Sequence, residues 1–550
     1  MKSIDKIFTI LLLAGIFINF NGLLIDILEP DGALYATIAK HIALTGDWVN
    51  LWGDGHDWLD KPHLPFWLCA ASFKIFGINA FAYKLPAFIF WLAGIYFTYK
   101  LADIFYENQI AKVATLIYVF ALHTTLNNFD VRAEPFLTTL SIGAIYFIYK
   151  AHLTNKWIHI IFAALLSACA IMTKGIFVLI TIGGGFVIWW IISRQWKQFV
   201  NYKWYIMLAL IFLFIIPEIY CLYLQFDMHP EKVIFGTTHV SGVKFFFWDS
   251  QFGRFFNTGP IKGNGDKSFF LHTTLWAFLP WSILLYFAIY KLIINGKHTV
   301  EKTNRWVIYG SALITFLLFS FSRFQLPHYV TILFPQFSII TAAYIFSLVK
   351  ANSLNQLKWV QIVLLILGTI AVVLLAWFSK LGFSYLLVFC VIIFTVWVLY
   401  FFNERSITPI IGLGSALTII LFIYLYNFFY PKLLTYQAGM MAGKWLQDNR
   451  PKSSSALLNS FSYSFEFYAP GVVHTLKEIK QLDSLLLKSP STVFYTSEAI
   501  VSELSKQGYK INVLKHYSYF AVSMLDLRFL NPATRSQQLE KMCLIELVKG

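Results

Sequence analysis

The sequence predicts an α-helical polytopic membrane protein with about 13 transmembrane helices and a small C-terminal α/β extracytoplasmic domain. Three observations carry this. Apolar residues make up 58% of the chain, charged residues only 13%, and mean hydropathy is +0.63. Nearly uncharged runs of about 17–22 residues recur, the length that crosses a bilayer core. After about Pro431 the composition changes to ordinary polar density. A β-barrel would alternate apolar and polar residues instead.

The first element follows Lys2 and Lys6 and stays apolar to about Leu28. It is longer than a signal peptide, lacks a small-x-small cleavage site and is followed by further spans, so it reads as an uncleaved first helix. Further spans start near residues 84, 110, 135, 157, 175, 203, 269, 306, 327, 357, 382 and 407, with the 157–192 stretch broken at Lys174-Gly175.

Basic residues fall in alternate connectors: Lys100 and Lys112; Lys150 and Lys156; Arg194, Lys197 and Lys203; Lys291, Lys297, Lys302 and Arg305; Lys350 and Lys358; Arg405. The positive-inside rule puts these, with the N-terminus, in the cytoplasm, and an odd span count sends the C-terminus to the periplasm of a bacterial inner membrane. The net charge of +15 therefore serves orientation and headgroup contact, and no basic domain or motif points to nucleic acid.

Two long loops, about 29–83 and 225–268, fall on the outer side. Within the first, residues 31–45 and 64–76 have the amphipathic pattern of helices lying along the membrane. The chain divides into a transmembrane part, 1–430, and a soluble part, 431–550. The latter has strand-like runs at Ser491–Thr496 and Lys510–Leu514, and helix-like runs at Leu476–Leu487 and Ser497–Gln507. The five cysteines (Cys69, Cys169, Cys221, Cys390, Cys543) have neither disulfide nor zinc spacing and read as packing residues.

Candidate chemistry gathers on the outer side. Asp31 follows Pro30 where the first span ends, and suits either a helix cap or a reacting carboxylate. Asp60-Lys61-Pro62-His63-Leu64-Pro65 pins Lys61 between prolines, so its cation is held at the membrane surface, where a lipid phosphate or a headgroup lies. Glu134, beside Arg132, opens the fourth span at a depth where a carboxylate is costly. Arg254 stands among aromatics in the second loop, near Asp249, and suits bidentate phosphate contact. Arg323 leads a short outer turn that includes His328 and Tyr329. Carboxylates for proton transfer thus share a face with cations for a departing phosphate. No nucleotide-binding glycine loop and no dense metal cluster appears; Asp60 and Asp249 are the carboxylates a divalent cation would use.

These residues resemble a known family. Pro30-Asp31, Tyr35-Ala36, Ile38-Ala39, Gly46-Asp47-Trp48, Asp60-Lys61-Pro62, Leu64 and Trp67-Leu68 are similar to the bacterial aminoarabinose transferases of lipid A, and more broadly to the protein-mannosyltransferase superfamily. Phe81-Ala82, Leu85-Pro86, Thr173-Lys174-Gly175, Arg254-Phe255, Leu279-Pro280-Trp281, Leu326-Pro327 and Tyr329 continue the match in order, over about residues 1–345.

The resemblance implies the C-type glycosyltransferase fold, an undecaprenyl- or other polyprenyl-phosphate sugar donor, and inverting transfer to a lipid, glycan or protein acceptor by a monomer. Lipid A modification is the family's activity. It implies Asp31 and Glu134 as catalytic acids, Lys61, Arg254 and Arg323 at the carrier phosphate, and Tyr35, His328 and Tyr329 as substrate contacts. Two departures stand out: Gly32 replaces a usual Glu, and Asp60 and His63 replace a usual Glu and Pro. The rival reading is a transporter or flippase of envelope glycolipids, marked by charges buried mid-span. A glycan polymerase or ligase and a non-catalytic scaffold are further alternatives.

Overall fold

The computed structural model describes residues 2–294, 303–349, 354–402, 404 and 406–548; Lys297, Lys302, Lys350 and Arg405 of the basic connectors lie outside them. The first helices in chain order are α1 (Lys2–Leu23), α2 (Asp31–Thr45), α3 (Leu64–Phe76), α4 (Ala80–Phe105), α5 (Asn108–Val119), α6 (Leu122–Phe129), α7 (Glu134–Thr154), α8 (Trp157–Lys174) and α9 (Val178–Ile192). Among the described residues nine helices are long and apolar enough to cross a membrane, and a tenth arises if α5 and α6, bent by 52°, count as one. All thirteen predicted starts fall within a few residues of a helical segment, but three of the helices, α9, Ser282–Ile294 and Tyr385–Phe401, are too short to count among those nine. For Ser282–Ile294 the reason is Pro280, which cannot continue the helix begun at Phe269.

Helix α2 departs from the expected half-exposed surface helix. Ten of its fifteen residues are buried, because α3 packs on one side and a helix from the chain's far end, Tyr463–Tyr468, on another. The Lys40 ammonium completes this contact by donating to the carbonyls of Glu466 (2.7 Å), Phe467 (3.1 Å) and Ala469 (2.6 Å).

The connection from α1 to α2 is held the same way. Gln437 Nε2 donates to Ile27 O (2.9 Å) and its Oε1 accepts from Glu29 N–H (3.0 Å). Ile27 N–H donates to the Tyr468 hydroxyl at 2.9 Å. Glu29 accepts from Ser462 Oγ (2.7 Å) and Ser464 N–H (2.5 Å), and its burial pushes the carboxyl up.

In the first loop a small hairpin pairs β1 (Trp52–Gly53) with β2 (His56–Asp57). The C-terminal part holds β3 (Ser455–Leu458), β4 (His474–Leu476), β5 (Val493–Ser497), β6 (Lys510–Tyr519) and β7 (Glu540–Val548) in one sheet of order β4-β3-β5-β7-β6. Strand β3 runs parallel to β4 and β5, whereas β7 runs antiparallel to both β5 and β6. The two expected strands and the helix Glu498–Lys506 are present; β3, β4 and β7 are additional, and Leu476–Leu487 divides into β4, a 3₁₀ turn and the helix Leu482–Lys488.

Replacing Gln437 with Ala leaves Ile27 O and Glu29 N–H without their partner. The expected cost is about 2–4 kcal/mol, read as a lowered thermal unfolding midpoint of the detergent-solubilised protein.

Candidate functional site

The Lys61 loop is locked from below by His63, which is fully buried with Glu218 of the helix Ile216–Leu222. His63 N–H donates to Glu218 Oε2 at 3.1 Å, Nδ1 lies 2.9 Å from Oε1, and Nε2 lies 2.9 Å from Val49 O. With an acceptor at each ring nitrogen, the imidazole carries both protons. Burial alone would lower its pKa; the Glu218 carboxylate outweighs that and raises it.

Above this lock, Asp60 Oδ2 lies 2.6 Å from Lys61 Nζ, and Oδ1 pairs with the Arg254 guanidinium. Burial works against the Asp60 charge, but Lys61 and Arg254 outweigh it and hold the carboxyl far below the usual range. Burial pushes the Lys61 ammonium down to about 8; Asp60 opposes this and Arg254 adds to it.

Arg254 follows a wide π-helical stretch, Phe245–Gly253, a distortion that often marks functional positions. Its guanidinium carbon lies 5.2 Å from the Phe324 ring centroid, and its Nε is buried without a hydrogen-bond partner. Gln251 of the same stretch donates to Lys174 O at 3.0 Å. This explains Gly175 (φ +107°): a Cβ there would stand 2.1 Å from Gln251 Nε2. Lys174, the last residue of α8, places Nζ 2.6 Å from Glu134 Oε1 and 3.9 Å from the Tyr329 ring centroid. Lys61, Asp60, Glu134, Lys174, Arg254 and Tyr329 thus line one cavity of about 110 Å³, with Leu137, Val178, Phe246 and Ile332 among its apolar walls.

Asp31 lies off this wall but is linked to it. Its Oδ2 is 2.8 Å from Arg132 Nη1. The same guanidinium nitrogen lies 3.1 Å from His328 Nδ1, and His328 Nε2 lies 3.7 Å from Glu134 Oε1. Tyr35 packs edge-on to Phe66 (5.4 Å between centroids). Burial pushes its phenol well up, with Asp60, Asp31 and Glu134 adding to the shift, which places it within electrostatic reach of all three carboxylates. Asp31 is the first residue of α2 and does not cap it through its side chain. A Cβ on Gly32 would stand 2.8 Å from Asp130 Oδ1, so a carboxylate reaching in from just past the end of α6 fills the space beside the glycine.

Three of the expected site residues are placed differently from the rest. Arg323 is exposed, and only its backbone N–H engages this region, donating to Phe255 O at 3.1 Å. Asp249 is absent from the cavity wall, which its neighbours Ser250 and Gln251 line. Both oxygens of Asp60 are engaged by Lys61 and Arg254, and among the described residues no three ligating groups gather around Asp60 or Asp249.

Sequence reasoning missed Lys174, the His63–Glu218 pair and Gln251. The signal for the first two is a charge inside an otherwise apolar run; Glu134 shows it and so does Glu218, while Lys174 stands out in the sequence only as a helix break and as part of the Thr173-Lys174-Gly175 match.

A family model described as dolichyl-phosphate-mannose-protein mannosyltransferase matches residues 60–221. An uncharacterized protein of Aquifex aeolicus is 24% identical over 84% of this chain and 86% of its own length. The undecaprenyl phosphate-alpha-4-amino-4-deoxy-L-arabinose arabinosyl transferase of Shewanella sediminis is 24% identical over 58% of this chain; the match spans only 56% of that relative. Among solved structures, ArnT from Cupriavidus metallidurans bound to undecaprenyl phosphate superimposes with a TM-score of 0.71 at 15% identity, covering 98% of this chain and 97% of its own. The archaeal oligosaccharyltransferase AglB from Archaeoglobus fulgidus, in complex with an inhibitory peptide and a dolichol-phosphate, gives 0.50 at 9% identity, covering 90% and 69%. The chain is accordingly a multi-pass membrane protein of C-type glycosyltransferase fold, similar over part of its length to the protein-mannosyltransferase family model and to bacterial arabinosyl transferases.

Proposed function

We propose that the protein transfers a sugar from a polyprenyl-phosphate donor to a lipid or glycan acceptor at the extracytoplasmic face of the bacterial inner membrane, with inversion at the anomeric carbon. The observation that carries this is the charge of the cavity. Lys61, Lys174 and Arg254 face Asp60 and Glu134 between apolar walls, while the third carboxylate of the lining, Glu218, is taken up by its pair with buried His63, which leaves three positive charges against two negative. The surplus of one matches the single negative charge of a sugar phosphodiester, and the unpartnered Arg254 Nε is a ready donor to it. Solved relatives that hold undecaprenyl phosphate and dolichol-phosphate support the donor class.

In this reading the prenyl chain lies against the apolar wall and the phosphate meets Lys61 and Arg254. Asp31, whose side chain is 41% exposed, receives the acceptor's proton while Arg132, 2.8 Å from its Oδ2, orients it. The acceptor oxygen bonds to the anomeric carbon as the bond to the phosphate oxygen breaks. The leaving phosphate gains negative charge, which the cations offset in a site shielded from water. Glu134, 2% exposed and paired with Lys174, aims that lysine at the leaving group. A flippase would spread its charges along a path through the spans; here the ion pairs collect at helix ends around one cavity.

Purified protein given polyprenyl-phosphate sugars and envelope lipids is expected to release free polyprenyl phosphate, and mass spectrometry of envelopes with and without the gene should differ by one sugar. Failure of carrier release across a panel of such donors overturns the proposal. Asp31→Asn should lower kcat by about 10²–10⁴-fold with little change in donor KM, whereas Arg254→Ala should raise donor KM at least tenfold. Because Lys61 must be charged to hold phosphate and its pKa is about 8, kcat/KM should fall as pH rises through about 8. Lys61→Arg, which stays charged, should move that alkaline limb upward.

A further inference from the structure

The C-terminal sheet carries a cluster of ligating groups separate from the cavity. Strand register pairs His516 of β6 with Cys543 of β7, and the helix Glu498–Lys506 begins beside them. His516 Nδ1 lies 3.3 Å from Cys543 Sγ and 3.6 Å from Glu498 Oε1, and the three ligating atoms are all within 4.8 Å of one another.

Both contacts converge on one nitrogen. Nδ1 hydrogen-bonds the thiol, whereas at 3.6 Å the carboxylate oxygen stands beyond hydrogen-bond distance, so hydrogen bonding alone does not tie all three groups together. A cation at the centre would join all three, since an imidazole lone pair, a thiolate and a carboxylate all attract it. Tetrahedral zinc bonds of about 2.3 Å to sulfur and about 2.0–2.2 Å to nitrogen and oxygen set ligand atoms about 3.4–3.6 Å apart, close to the spacings found.

We propose that Cys543, His516 and Glu498 form a binding site for a zinc-class divalent cation that ties the helix Glu498–Lys506 to β6 and β7. The thiolate and carboxylate balance the two charges of the ion. Lys541 Nζ, 3.5 Å from Glu498 Oε2, holds the carboxylate's other oxygen. Cys543 is buried while the His516 and Glu498 side chains are 60% and 43% exposed, so the ion enters from solvent and water completes its shell. Spacing along the sequence conceals this site because register, not a short motif, brings the ligands together.

The test uses the full chain in detergent, stripped with a chelator, dialysed and titrated with Co²⁺. The expected result is one Co²⁺ per chain with near-ultraviolet thiolate-to-cobalt absorption and the visible bands of tetrahedral cobalt. Cys543→Ser and His516→Ala should both lose the thiolate band, and Cys390→Ser, which alters an exposed cysteine, should keep it. Zn²⁺ should raise the unfolding midpoint of the wild type but not of His516→Ala, whose metal-free midpoint should equal that of the metal-free wild type. Absence of the thiolate band in the wild type, or its persistence in Cys543→Ser, overturns the proposal.

Discussion

Asp60 is the point on which the site depends. It binds Lys61 from its own loop and Arg254 from a segment 194 residues away, and so closes two long connecting segments over one cavity. Neither cation would be tolerated alone in so apolar a setting. Removing one partner of a buried pair leaves an uncompensated charge, at a cost of about 3–5 kcal/mol. The same logic repeats beneath it, where buried His63 and Glu218 join the first loop to a membrane helix. Electrostatics hold the loops together here, and the residues that do so also supply the cationic surface a phosphate would meet.

The two departures from the pattern of the transferases it resembles have physical counterparts nearby. Gly32 leaves room for Asp130, which brings a carboxylate close to Asp31 from just past the end of α6. His63 gives up the stiffness of a proline but gains two bonds to Glu218 and one to a carbonyl. In each case a local backbone or charge feature is exchanged for a long-range contact, so the loop keeps its position by other means.

What the chain alone reveals, and what it hides, follows from the range of the interactions. The spans are legible because bilayer thickness imposes a length on each apolar run. Lys61 is legible because Pro62 fixes the backbone beside it. Arg254 and Arg323 look alike in sequence, each a cation next to aromatics, yet one is walled in and the other faces solvent; only packing separates them. Lys174 hid as a helix break because its partner Glu134 is forty residues away. The buried strand β3 lacks the alternation of a half-exposed strand, and β7 finds its place between β5 and β6 only through pairing.

The grip of residues 437–469 on the segment before Asp31 has a consequence for biogenesis. The nascent chain threads its first span into the membrane long before Gln437, Ser462 and Tyr468 have been synthesised, so the backbone groups of Ile27 and Glu29 await partners that arrive near the end of translation. A partly made chain therefore lacks the scaffold that orients α2, and this packing is complete only after the distal region has been made and docked.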